Sequence, residues 1–220
     1  MKLFSPYTVS IISVIIITGA ACTHHPKKTI GKYFEGKVNY KSSISFVKEG
    51  KVYNKELYHS TFYFKEGSSK QEYDNGPFIE DFFIKKENKI YSKKDANDTL
   101  YYLDAGRAGD SIERYEIHPG AGEIMGVTCD ELKLWFKDKT RSYYYNPDYL
   151  KVNKDWFKNY TFYNKNFTIE KMGCLFLQYK VEVPNRGTMT LTATHISEEA
   201  INDELFDLPK HKVLAKSEDL

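Results

Sequence analysis

The sequence predicts a mainly β protein, a single curved antiparallel sheet accompanied by one or two short helices. Composition is the first reason: 18 Tyr and 14 Phe stand against 13 Gly and 7 Pro, and aromatic residues favour a pleated, half-buried surface. Patterning is the second, because apolar and polar residues alternate with period two through several segments bounded by turn signals, and few stretches carry a helical period. A third observation bears on shape. Aromatics occupy both faces of Phe78 to Ile84 and of Val127 to Phe136, as expected of a sheet covered on one side and curving round an apolar cavity on the other. The competing reading is that these rings only fill a core.

The chain opens with one early charge, Lys2, then the apolar run Val9 to Ile17, then the small residues Gly19, Ala20 and Ala21. That run is short for a bilayer span and ends as a secretory signal does, so residues 1–21 read as a signal peptide. Cys22 follows directly. A cysteine after small residues resembles the bacterial lipobox, with Gly19 where a large aliphatic residue usually stands; the alternative is ordinary cleavage after Ala20 or Ala21. Residues 22–32 then form a polar tether, in which His24 and His25 read as solvated linker and not as metal ligands. The remainder, 33–220, reads as one β-rich domain, since losing the leader leaves roughly 200 residues, enough to bury about 70% of the unfolded surface.

Within it, Gly36 to Lys48 alternates Val38, Tyr40, Ile44 and Phe46 against Lys37, Asn39, Lys41, Ser43 and Ser45. Lys48-Glu49-Gly50-Lys51 turns into Val52 to Lys65, completing a hairpin. Lys70 to Asp74, Phe78 to Lys85, Lys89 to Ser92 and Thr99 to Leu103 continue as a meander, with Asn75-Gly76-Pro77 as a break. Asp104 to Asp110 reads as a surface loop, because no GK[ST] follows its glycines. Ile112 to Ile117 is a strand and His118 to Gly122 a loop. The hairpin Ile124 to Pro147, turning at Lys137-Asp138-Lys139, reads as the element from which the sheet is built outward. Asp148 to Phe157 is the best candidate for a helical turn. Leu175 to Val183 and Thr188 to Ile196 form the final pair, with His195 on the apolar face of Met189, Leu191 and Ala193, and Ser197 offers an N-cap before Glu198 to Asn202.

Charge excludes one class of partner. The net +2 comes from 32 basic and 30 acidic residues scattered without a basic face, so nucleic acid is not expected. Catalytic residues, metal ligands and cofactors are expected to be none: His59, His118 and His195 fall in separate segments, and Asp130 and Glu131 point to opposite faces of one strand. Setting Cys22 aside leaves Cys129 and Cys174 in an exported, oxidising compartment. They read either as a disulfide or as two buried thiols packing as small apolar groups.

The segment Ile124-Met125-Gly126-Val127-Thr128-Cys129, followed by Tyr144-Tyr145-Asn146-Pro147, resembles the "I-x-G-Y-x-C … W/Y-Y-T-P" core of small exported Bacteroidota proteins around the GLPGLI group. Ala193-Thr194-His195-Ile196 with the later Phe206-Asp207-Leu208-Pro209 is similar to that group's close. Val127 replaces the usual Tyr, and Lys158 to Asn166 stands in place of the Gly-Leu-Pro-Gly segment. The resemblance implies a LolA/LolB-like fold, an incomplete barrel able to hold an acyl chain, with no catalytic residues to transfer.

The expected function is therefore a non-catalytic, periplasm-facing lipoprotein, anchored through Cys22, in the outer membrane rather than the inner. It would bind a lipid or other apolar ligand on its concave face, and Phe78, Phe82, Trp135, Tyr144, Leu177 and Tyr179 are the expected ligand face. The alternative is an assembly lipoprotein presenting aromatic strands to an envelope protein or glycan.

Overall fold

The structure is a computed structural model that describes residues 32–76, 78–94, 99–209 and 213–216. The expected signal peptide, Cys22, His24 and His25 lie outside the described residues.

The chain is mainly β. Among the described residues twelve strands join one sheet that does not close into a barrel, in the order β12-β6-β5-β4-β3-β2-β1-β11-β10-β9-β8-β7. In chain order they are β1 (Gly36–Lys48), β2 (Lys51–Lys65), β3 (Ser68–Tyr73), β4 (Glu80–Ile84), β5 (Lys89–Lys93), β6 (Thr99–Asp104), β7 (Arg114–Ile124), β8 (Val127–Trp135), β9 (Thr140–Tyr145), β10 (Gln178–Val183), β11 (Gly187–Glu198) and β12 (Val213–Lys216). Neighbours are antiparallel except β6 and β12, which run parallel.

The hairpin β8–β9, expected at the centre, sits near one edge. Its place is taken by β1, which pairs with β2 on one side and with β11 on the other. That second pairing joins chain segments about 150 residues apart, and local alternation does not encode it.

Two further expectations change. His118 to Gly122 is not a loop: β7 runs through it, and the register slips between His118 and Gly122 as a bulge. Pro119 has no N–H to give to a ladder, and Gly120 N–H instead donates to Asp130 Oδ1 at 2.9 Å. A second slip, opposite Asn39 and Tyr40, reverses the alternation of β11 after Ala193. Ile196 therefore joins the apolar face opposite the buried Val38, and His195 turns out to solvent.

Between β9 and β10 the chain leaves the sheet. Two 3-10 turns, Lys154–Phe157 and Phe162–Asn164, lead into the helix α1 (Lys165–Met172), which Gly173 ends in the left-handed conformation. Only the end of the expected Asp148 to Phe157 turn is helical. Ser197 caps nothing; its hydroxyl meets Glu199, and the 3-10 turn Asp203–Phe206 is capped by Asn202 accepting from Glu204 N–H.

The main core lies between the concave face of the sheet and this excursion, and includes Phe34, Val38, Phe64, Leu132, Leu134, Phe157, Ile169 and Leu177. A second cluster, Phe82, Ile84, Tyr91 and Leu100, lies under Phe206 and Leu208.

Candidate ligand cavity

Antiparallel register decides which side chains share the concave face. One row runs Tyr143, Tyr179, Leu191, Ser42 and Tyr58 across β9, β10, β11, β1 and β2. Another runs Phe62, Gln71, Asp81 and Ser92 across β2, β3, β4 and β5. Residues of both rows border one cavity of about 860 Å³, so the sheet bends round it. That volume lies within the range of small-molecule sites.

The excursion between β9 and β10 roofs the cavity with Phe157, Tyr160, Phe162, Tyr163, Lys165 and Phe176. Rings from roof and wall meet at both ends. Phe83 and Tyr160 approach to 4.3 Å between centroids, Phe64 and Phe157 to 6.1 Å, and Phe176 lies 5.7 Å from Tyr179. Tyr40 fixes the roof further by donating its hydroxyl to the Phe176 carbonyl at 3.0 Å.

The loop after β6, with no role expected beyond surface connection, holds the other side of the roof. Thr161 and Phe162 N–H groups both donate to Ala105 O at 2.9 Å, Thr161 Oγ1 donates to Arg107 O, and Asn164 Nδ2 donates to Asp110 O at 2.8 Å. The backbones approach closely here: a Cβ on Gly109 would stand 2.7 Å from Thr161 O.

Of the six residues expected to face a ligand, Phe78 and Tyr179 line the cavity and Phe82 borders it, though its ring also belongs to the second cluster. The other three do not. Tyr144 stands one residue from Tyr143 and points to the opposite face, where its ring lies under Lys180. Trp135 likewise alternates with the buried Leu134 and carries the Arg114 guanidinium 4.0 Å above its ring. Leu177 is buried in the main core beyond the end of the cavity. Sequence reasoning missed Tyr40, Phe62, Asp81, Arg141, Tyr160 and Lys165. Alternation identifies Tyr40 and Phe62 as inward-facing; the roof residues follow no period, so nothing local marks them.

Polar groups are few. Asp81 accepts from the Tyr73 hydroxyl at 2.6 Å, its other oxygen has no hydrogen-bond partner, and burial raises its pKa above the ordinary carboxylate value. Arg141, 3% exposed, donates through Nη2 to Asp110 Oδ2 at 2.7 Å and leaves Nε unpartnered. Lys139 shares Asp110 at 3.1 Å. Lys165, the first residue of α1, has its ammonium over the rings of Phe157 and Phe176 at 5.6 and 5.7 Å. Burial lowers its pKa to about 8. Cys129 and Cys174 are both buried and free in this structure, and both lie outside the cavity. Burial pushes the Cys129 thiol up to about 11. Among the described residues no cluster of three His, Cys, Asp or Glu side chains could hold a metal.

No known protein family matches the chain, and no curated protein does. Among solved structures, two crystal forms of PNGF-II resemble it with TM-scores of 0.44 and 0.46 at 15% and 12% identity, over 82% and 83% of this chain. The chain spans about a third of their length, 31% and 32%. A LolA superfamily protein from Nitrosomonas europaea aligns with a TM-score of 0.39 and 10% identity, over 81% of this chain and 92% of its own. A DUF1329 family protein from Desulfovibrio piger aligns with 0.35 and 13%, over 79% and 90%. With TM-scores below 0.5, these likenesses carry no argument about what this chain binds.

Proposed function

We propose that the chain is a non-catalytic binding protein that holds a lipid or other apolar ligand on the concave face of its sheet. We further propose that it is exported, faces the periplasm and is held to a membrane, the outer in preference to the inner, by an acyl chain on Cys22. The observation that carries the binding reading is the roofed cavity of about 860 Å³ whose wall and roof are mostly aromatic and aliphatic side chains. A cavity lined this way gains little from holding water and much from an apolar occupant. The leader, with its short apolar run and small residues before Cys22, supports the address.

Native mass spectrometry and solvent extraction of the purified chain test the binding reading. An extractable apolar mass supports it, and a cavity that stays empty and takes up none sinks it. Replacing Cys22 by Ala tests the anchor, since the variant should leave the membrane fraction.

One observation favours an assembly role as the second reading. The tip of the β1–β2 hairpin exposes Val47 and Val52 at 69% and 66%, with Phe46 and Tyr53 stacked 5.6 Å apart beside them. Crosslinking from that tip should return one fixed envelope partner if the hairpin docks.

A further inference from the structure

We propose that the ligand is an amphiphile, its apolar chain lying along the aromatic wall and its single acidic head group, a carboxylate or a phosphate monoester, pairing with the ammonium of Lys165. This rests on the apolar-ligand reading above and adds the head group to it.

The charge inventory of the cavity leads to Lys165. Among the described residues three cationic side chains line it: Lys139, Arg141 and Lys165. Lys139 and Arg141 both lean on the Asp110 carboxylate, at 3.1 and 2.7 Å. Among the described residues Lys165 has no carboxylate within ion-pair distance. Its ammonium rests between two aromatic faces, which satisfy none of its three N–H donors with oxygen. A cation so placed, over aromatic faces and only partly open to solvent, gains from an anionic partner. Among the described residues Asp81 is the one carboxylate lining the cavity; the Tyr73 hydroxyl donates to it, and it makes no ion pair with Lys165. It therefore does not supply the missing charge. An acidic ligand does.

Aromatic lining suits the rest of such a ligand. Tyr179, Phe62 and Phe157 give broad apolar faces with few polar atoms, so an alkyl chain is desolvated there without a specific partner for each methylene.

The pairing has a definite pH dependence. Facing Lys165 round the cavity are Asp81, Lys139, Arg141 and the tyrosines Tyr40, Tyr58, Tyr73, Tyr143, Tyr160, Tyr163 and Tyr179, with Cys174 behind it. Burial raises Tyr40, Tyr73, Tyr143, Tyr160, Tyr179 and Cys174, so none of these six ionises before the lysine does. Attraction for an acid is then present at pH 7 and fades as the ammonium loses its proton.

Calorimetric titration of the full chain with laurate, dodecyl phosphate and uncharged 1-dodecanol tests the proposal. At pH 7 at least one of the two acids should bind about tenfold tighter than the alcohol, as one charge-assisted pair supplies. The tighter acid identifies a fatty carboxylate or a phosphate head. The preference should shrink at pH 10, disappear in Lys165→Met and survive in Lys165→Arg. Equal binding of acids and alcohol to the unaltered chain at pH 7, or an undiminished preference in a folded Lys165→Met, overturns it while leaving the apolar-ligand reading intact. Failure of all three probes to bind overturns that reading as well.

Discussion

The hydroxyl of Tyr73 donates to Asp81 Oδ2 at 2.6 Å inside the cavity wall. Burial, the leading influence, raises the Asp81 pKa above 3.8, and the neighbouring Ser92 and Tyr73 hydroxyls only partly oppose it. A carboxyl raised in the folded state favours folding fully below its unfolded value and withdraws that support as pH climbs through the folded value. Asp81→Asn should therefore be more stable than the unaltered chain at pH 7, with the difference vanishing below about pH 4. Thermal melts of both proteins across pH 3 to 8 check this.

Lys165 behaves in the opposite sense. Burial depresses its pKa to about 8 from 10.5, so its contribution is most favourable above the unfolded value and is lost as pH falls through about 8. Lys165→Met should stabilise the empty protein at pH 7 by about 1–2 kcal/mol, less than the shift alone converts to because the side chain is partly exposed. Urea titrations should show most of the gain at pH 7 and only a minor part of it, about a quarter, at pH 10. A residue that weakens the empty fold is what a ligand contact looks like energetically.

Phe64 joins sheet and roof. Its ring is 1% exposed and packs within 6.2 Å of Phe34, Phe62, Trp156 and Phe157. Phe64→Ala should cost about 3–5 kcal/mol in denaturant unfolding.

Cys129 and Cys174 are both buried and free. Iodoacetamide at pH 8 should leave them unmodified in the folded chain and alkylate both after unfolding without reductant. An unfolded, non-reduced chain two hydrogens lighter and resistant at both positions contradicts the structure here.

The strands were legible where alternation is local: β1 and β2 follow from Val38, Tyr40, Phe62 and Phe64 recurring every second residue, and β8–β9 from its charged turn. Three things were not. The sheet's centre depends on β1 meeting β11, a pairing between distant segments. Face assignment fails by a single step of parity, which is why Tyr144 was expected where Tyr143 stands, and Trp135 where the buried Leu134 stands. The roof was invisible because α1 has only eight residues, and the chain's return over the sheet depends on hydrogen bonds to the loop after β6. Gly173, placed just past Lys171, was the one local sign of a helix end there.

The central claim is that the concave face encloses an apolar site, and fluorescence titration with N-phenyl-1-naphthylamine tests it most directly. Val181 lines the cavity between Arg141 on β9 and Met189 on β11, so Val181→Trp puts an indole into the open volume. The unaltered chain should bind one dye molecule with a blue-shifted, enhanced emission, and Val181→Trp should bind it at least about tenfold more weakly while melting normally. No enhancement with the unaltered chain, or equal binding by a folded Val181→Trp, would contradict the claim.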